Sequence, residues 1–358
     1  MRRIPVLQIG LGGVGQALVE QVLHFNERLG GRYGFRFAYI GLADSQGTLV
    51  ADDRIPPATL LQALATKRAG GSLSDVPEGG PLNDWRNLLT PSPCLLIDVT
   101  AQGGAEDALV AAVEQGHRVV LANKKPLCAD LSTFRALTSE GRTRYEATVG
   151  AGLPIISTLR SLLETGDVIR RIEGCFSGTL GFLMTQLESG VAFSEAVRDA
   201  RQRGWTEPDP RDDLSGTDVA RKALILARTS GFSFELADVS VESLSSAALA
   251  DLSVDQFMDQ ISSLDDRYRE QWAAVMDQGQ TLRYIAEVTP ERLNVGLASV
   301  APDTAIGSLR GPDNLVVWHT QRYAERPLSV RGPGAGTEVT ASGVLNDMLL
   351  FAREWSPR

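Results

Sequence analysis

The rhythm of apolar positions along this chain changes after its first 150 or so residues. Val6-Leu7-Gln8-Ile9 is a short apolar run, glycines at 10, 12, 13 and 15 follow at once, and a helical pattern continues through Ala17, Leu18, Val22 and Leu23. Runs at Phe35 to Leu42, Cys94 to Val99, Arg118 to Leu121 and Arg144 to Ala147 predict further strands. Helical segments such as Ala105 to Glu114 and Leu131 to Ser139 lie between them. Strands alternating with helices predict a parallel, doubly wound α/β sheet. After Pro154 come a helix to about Glu164, a strand from Ile169 to Ser177, helices near Leu180 to Glu188 and Glu195 to Arg203, and a long helix from Thr217. The segment Leu236 to Ser263 is polar and helical in tone. Thr281 to Val288, Arg292 to Val300 and Leu315 to Thr320 predict an antiparallel sheet, and Val339 to Arg353 a final helix. The Pro/Gly-rich stretch from Gly70 to Pro81 reads as a surface loop.

Composition narrows the function classes. With 358 residues the chain exceeds one typical domain, so two lobes are expected. A net charge of -9 argues against a nucleic-acid or membrane-surface role, which would need clustered Lys and Arg. No apolar run reaches membrane-spanning length, and Met1-Arg2-Arg3-Ile4 leads directly into a strand, so a cytoplasmic location is expected. Cys94, Cys128 and Cys175 are an odd trio without metal spacing and read as reduced, small buried residues.

Gly10, Gly12 and Gly15 fill a G-x-G-x-x-G pattern, with Gly13 and Val14 inside it. In that pattern the first glycine makes the tight turn, the second lets the backbone approach a pyrophosphate, and the third allows close helix packing. Its place on the first strand-to-helix turn makes this a dinucleotide site, because the helix start offers N–H groups and a positive dipole end to phosphates. The first lobe is therefore a Rossmann-type sheet. Asp44 follows the second strand, where a carboxylate would accept from the ribose hydroxyls of NAD and repel a 2′-phosphate. No arginine follows it directly, which leans the expectation towards NAD over NADP; Arg36 is the alternative phosphate partner, and a plain turn role for Asp44 stays open.

The run from Gly204 through Glu207, Asp213 and Asp218 to Lys222 concentrates carboxylates and a lysine at the entrance of one helix. Asp218 and Lys222 are four apart and share a helix face. Alone, such a pair is ordinarily a solvated ion pair. The run resembles homoserine dehydrogenase, as do Tyr145-Glu146-Ala147-Thr148-Val149-Gly150-Ala151-Gly152-Leu153-Pro154-Ile155-Ile156, Phe176-Ser177-Gly178-Thr179-Leu180 and Gly332-Pro333-Gly334-Ala335-Gly336. These motifs follow the family's order over nearly the whole chain. Trp205 stands where the family more often has tyrosine or phenylalanine.

The resemblance implies a dinucleotide-binding domain over 1–150, completed by 337–358, and an α+β catalytic and dimerisation domain over 151–336. It implies reversible, NAD(P)-dependent interconversion of L-aspartate 4-semialdehyde and L-homoserine in threonine, methionine and isoleucine biosynthesis, carried out by a homodimer. In it Lys222 acts in proton transfer on the substrate hydroxyl and Asp218 assists; Glu207 and Asp213 hold the substrate ammonium, and Thr179 contacts the substrate. Lys124 bridges substrate and cofactor ends, Thr100 borders the nicotinamide, and Gly336 packs on the cofactor. The resemblance also implies a monovalent cation, Na+, held by the main-chain carbonyls of Glu146, Val149, Ala151 and Leu153; a rigid turn is the other reading of that segment. No appended amino-acid-sensing domain is expected after Arg358.

Two rival readings remain. An aspartate-semialdehyde dehydrogenase needs an activated cysteine with a histidine base, and none of the three cysteines has such a setting in sequence. A non-catalytic NAD sensor would have kept the fold without the chemistry. His24, His117 and His319 lie outside the motif-bearing segments and read as structural.

Overall fold

The computed structural model describes residues 1–82 and 84–355. The chain divides into two compact units, Met1–Gly152 with Ala335–Arg358, and Leu153–Gly334.

The first unit opens with β1 (Arg2–Ile9), α1 (Gly13–Tyr33), β2 (Phe35–Ala43), β3 (Gly47–Val50), α2 (Pro57–Arg68) and β4 (Gly79–Pro81). It continues with β5 (Leu95–Asp98), α3 (Glu106–Glu114), β6 (Arg118–Leu121), α4 (Leu131–Thr138) and β7 (Thr143–Arg144). The sheet order is β4-β3-β2-β1-β5-β6-β7. The five strands from β2 to β7 run parallel, and β3 and β4 add an antiparallel edge. The parallel strands are near-continuous apolar runs, as a sheet covered on both faces requires. Ile4, Val6, Leu18, Val19, Phe35, Leu95 and Ile97 lie in its core.

Two expectations are corrected here. The strand read over Arg144 to Ala147 ends at Arg144, and Glu146–Thr148 is a 3-10 turn. The Glu146 N–H donates to the Asp347 carboxylate instead of a neighbouring strand. Gly70 to Pro81 is more than a surface loop: it contains the turn Leu73–Asp75, with Leu73 fully buried, and strand β4. A Cβ on Gly79 would stand 1.8 Å from the Leu73 carbonyl, so only glycine lets that strand lie against the turn.

The second unit contains α5 (Ile155–Glu164), β8 (Ile169–Cys175), α6 (Gly178–Glu188), α7 (Phe193–Gln202), α8 (Pro210–Leu214) and α9 (Thr217–Thr229). After these come β9 (Ser240–Val241), α10 (Val254–Gln260), α11 (Asp265–Met276), β10 (Thr281–Val288), β11 (Leu293–Val300), β12 (Asp313–Thr320) and β13 (Leu328–Pro333). Its sheet, ordered β13-β12-β8-β10-β11-β9, is antiparallel except for the β9/β11 pair. β8 stops two residues before the expected Ser177, whose hydroxyl accepts from the Leu180 N–H and caps α6. The segment read as helical from 236 to 263 is largely irregular, holding short 3-10 turns, the two-residue β9 and the seven-residue α10. The final helix α12 (Thr337–Glu354) belongs to the first unit, where it packs on α1. No helix among the described residues is long and apolar enough to cross a membrane.

Candidate active site

In the first unit the glycine turn lies at the carboxyl end of β1, where parallel sheets place their ligand crevice. It lines a cavity of about 770 Å³ together with Asp44, Lys67, Asp98 and Thr100. Gly10 adopts φ +99°, and a Cβ there would press within 3.0 Å of the Val99 carbonyl carbon. A Cβ on Gly15 would fall 2.3 Å from the Gly10 oxygen, whereas one on Gly12 would meet nothing within 4 Å. Gly12 is thus the open approach, and Gly15 is closed against its own turn. Gln8, fully buried, staples that turn: its Nε2 donates to the carbonyls of Gly10 (2.9 Å) and Gly15 (3.1 Å), and its Oε1 accepts from Tyr39 (2.9 Å). Gly13 and Val14 line the same cavity, and the methyl of Thr337, at the start of α12, sits over Gly13. Gly336 is the residue before α12, at φ +122°.

Asp44 is buried, and its carboxylate is fully subscribed. One oxygen accepts from the N–H groups of Gln46 (2.8 Å) and Gly47 (2.7 Å), the other from the Leu73 N–H (2.9 Å) and the Lys67 ammonium (2.9 Å). Burial pushes its pKa up, but these donors together bring it below the usual carboxylate range. Four contacts exhaust the four lone-pair sites of a carboxylate. Ribose hydroxyls would have to displace one of them. Lys67 itself faces the cavity. Arg36, the alternative phosphate partner, instead pairs with Glu27.

The turns after β5 and β6 are tied by a polar network that residue spacing did not reveal. The Thr100 N–H and hydroxyl donate to Asp98 (2.9 and 2.7 Å), and the Asn123 amide donates to Asp98 (3.0 Å), Thr100 (3.2 Å) and the Gln102 carbonyl (2.7 Å). Asp98 is buried, and burial raises its pKa against the pull of these bonds. Asn123 fixes the backbone just before Lys124, which is half-buried. Asp98 and Asn123 were legible only as polar residues ending apolar strands.

In the second unit Lys222 is 9% exposed on α9, and its ammonium donates to the Phe176 carbonyl (2.6 Å) and pairs with Asp218 (2.8 Å). The pair is therefore half-buried rather than an ordinary solvated one. Gly216, before α9, has φ +72°, and a Cβ there would run into the Tyr284 hydroxyl at 2.0 Å, so the helix entrance requires glycine. The Thr179 hydroxyl, on the first turn of α6, donates to the Trp205 carbonyl (2.6 Å), and Asp213 accepts from the Glu207 N–H (2.7 Å). The Glu207 side chain is exposed. Burial raises the Asp213 pKa, and the neighbouring Glu207 and Asp218 charges add to the rise. Thr179, Glu207, Asp213, Asp218 and Lys222 thus gather around the starts of α6, α8 and α9.

The turn proposed for a cation has Gly150 at φ +75° and Ala151 at +56°. The Glu146 carbonyl accepts from the Val149 N–H at 3.4 Å and the Leu153 carbonyl from the Ile155 N–H at 2.8 Å. Among the described residues no group of His, Cys, Asp and Glu forms a metal cluster. Cys94 and Cys175 are buried with their thiols pushed up to about 12, and the Cys94 sulfur lies 3.2 Å from His117, whose pKa burial lowers. Neither is an activated nucleophile.

A parallel sheet carrying a glycine turn over a cavity of this size makes the first unit a dinucleotide-binding domain. Residues 10–147 match a family profile described as the NAD-binding domain of homoserine dehydrogenase, and residues 154–349 match one described as homoserine dehydrogenase. The chain is 40% identical to a chloroplastic bifunctional aspartokinase/homoserine dehydrogenase of Zea mays, over 96% of this chain and 38% of that protein. It therefore spans well under half the length of such bifunctional relatives. It is 37% identical to a homoserine dehydrogenase of Emericella nidulans, over 95% of this chain and 96% of that one. A hyperthermophilic archaeal homoserine dehydrogenase mutant, solved in complex with NADPH, superimposes with a TM-score of 0.78 at 25% identity, covering 99% of both chains. The chain belongs to the homoserine dehydrogenase family.

Proposed function

We propose that this chain catalyses the reversible NAD(P)-dependent interconversion of L-homoserine and L-aspartate 4-semialdehyde. Support comes first from the Lys222 ammonium, held by Asp218 and the Phe176 carbonyl beside a set of acids suited to a substrate ammonium. A dinucleotide held over the glycine turn at Gly10, Gly12 and Gly13 would supply or accept the hydride. Lys222 gives a proton to the forming alkoxide, or takes one from the hydroxyl in the other direction, and Asp218 orients its amine. Glu207 and Asp213 hold the substrate ammonium by charge-assisted bonds, and Thr179 steadies the loop that carries Glu207. Lys124 and Thr100 serve the reacting end of the dinucleotide, while Gly10, Gly12, Gly13, Val14, Gly15 and Gly336 accommodate it.

For the cofactor, the reading is that both forms are used and that Lys67 decides between them. Its ammonium can leave Asp44 for a 2′-phosphate, whereas with NAD it stays paired with Asp44 and a ribose hydroxyl competes for that carboxylate site. The finer expectation of an NAD preference through Asp44 alone sits less well with a carboxylate that already has four donors. Lys67→Ala should lower kcat/KM with NADP more than with NAD. Equal losses would refute this role. The carbonyls of Glu146, Val149, Ala151 and Leu153 are proposed to hold a monovalent cation. A homodimer through the second sheet also belongs to this reading, supported by the partly exposed positions of β11 and β13. Wild-type turnover with homoserine and either cofactor, followed by reduced-nicotinamide absorbance, tests the activity.

A further inference from the structure

The five-residue helix α8 is too short to hold itself in place, since isolated helices well under about 12 residues are marginal in water. Its position must come from outside contacts, and the Arg211 side chain makes a concentrated set of them. Arg211 turns back to grip Asp209, the cap of its own helix: Nε lies 2.9 and 3.1 Å from the two carboxylate oxygens, and Nη2 lies 2.7 Å from one of them. Its Nη1 donates to the carbonyls of Leu249 (3.1 Å), Ala250 (2.7 Å) and Leu252 (2.7 Å), the turn that leads into α10. The guanidinium also lies over the ring of Phe257, 5.3 Å from its centroid, and Phe257 is fully buried. A planar fork with five donors suits this arrangement in a way a lysine cannot match.

Asp213 is two residues further along the same short helix, and its carboxylate accepts from the Glu207 N–H. The segment 205–213 is thus pinned at three points: Trp205 by Thr179, Glu207 by Asp213, and Asp209 by Arg211. Only the third is tied in turn to the 249–252 turn. We propose that Arg211 is a positioning residue that sets where Glu207 and Asp213 stand, and so the affinity for the substrate ammonium, by fastening α8 to the 249–252 turn. The proposal rests on the homoserine reading of the site but has a signature of its own.

The test compares full-length wild type with Arg211→Met and Arg211→Lys. A misplacement of about 1 Å can cost on the order of a hundredfold. Arg211→Met should raise the KM for homoserine roughly tenfold to a hundredfold while dinucleotide affinity stays within about twofold, and Arg211→Lys should recover part of the loss. Amide exchange should accelerate at 205–214 and 249–252 and hold elsewhere. If Arg211→Met does not fold, Arg211→Lys carries the same comparison with an intermediate KM. An unchanged homoserine KM in a folded variant, or exchange unchanged at both segments, would overturn the proposal. A wild type without homoserine turnover would sink the activity reading alone, because the exchange pattern would still decide the role of Arg211.

Discussion

Gly12 and Gly15 stand three residues apart in one motif, and the structure predicts opposite consequences for the same added methyl group. At Gly15 the new Cβ would lie 2.3 Å from the Gly10 oxygen and 2.9 Å from the Gln8 amide nitrogen. The turn cannot yield without disturbing the Gln8 bonds to Gly10 and Gly15, which lie in a buried network with Tyr39. Overpacking of this kind costs about 1–3 kcal/mol, and a buried polar group left unpaired adds about 1–3 kcal/mol. A loss of roughly 2–6 kcal/mol is therefore expected for Gly15→Ala, a large share of the 5–15 kcal/mol typical of a folded protein. At Gly12 the Cβ would meet nothing within 4 Å, and φ −74° suits alanine as well as glycine. Gly12→Ala should thus shift stability by less than about 1 kcal/mol, because the unfolded chain loses freedom while a slightly better cap is replaced. Its methyl group would instead occupy the space through which a pyrophosphate approaches the helix start. Thermal melts without cofactor, paired with calorimetric titration by NADP and NAD, separate the two effects. The expected pattern is a sharply lowered melting temperature for Gly15→Ala, and a wild-type melt with at least tenfold weaker dinucleotide binding for Gly12→Ala. A Gly12→Ala protein that binds normally, or a Gly15→Ala protein that melts like wild type, would refute the reasoning.

Two further outcomes follow from the carboxylates. The folded-state pKa of Asp44 lies below its unfolded value near 3.9, so its stabilising contribution is complete above that value and is lost as pH falls through the folded pKa. Asp44→Asn should melt earlier than wild type at neutral pH, with the gap closing in acid; a gap independent of pH would contradict the assignment. For Asp213, whose pKa burial raises, Asp213→Asn should leave neutral-pH stability nearly unchanged and raise the homoserine KM about tenfold or more, whereas an unaltered KM would remove Asp213 from the substrate site.

What was legible in the sequence was what the backbone dictates locally. A strand, a glycine turn and a helix at Val6 to Leu23 follow from apolar runs and from the steric room that glycines leave. The Asp218 and Lys222 face follows from helix periodicity alone. The edge strands β3 and β4 were missed because four- and three-residue strands rich in glycine carry no alternation to read. The role of Asp44 looked different in sequence because two of its donors, Lys67 and Leu73, come from 23 and 29 residues further on, and Lys67 sits in the last turn of α2 in no motif. Arg211 lay inside a quoted motif, yet its partners at 249–252 are supplied by a segment whose pattern is nearly featureless.

The central claim is that Lys222 moves the proton in homoserine oxidation, and steady-state turnover of Lys222→Met beside wild type tests it most directly. Methionine keeps the buried stem, and the lost contacts are one hydrogen bond to Phe176, worth about 1 kcal/mol, and a pair with an Asp218 side chain that is 46% exposed, worth little. The variant should therefore fold and bind the dinucleotide like wild type, while kcat with homoserine falls roughly a hundredfold to ten-thousandfold. A folded Lys222→Met protein that oxidises homoserine within threefold or so of the wild-type rate would contradict the account.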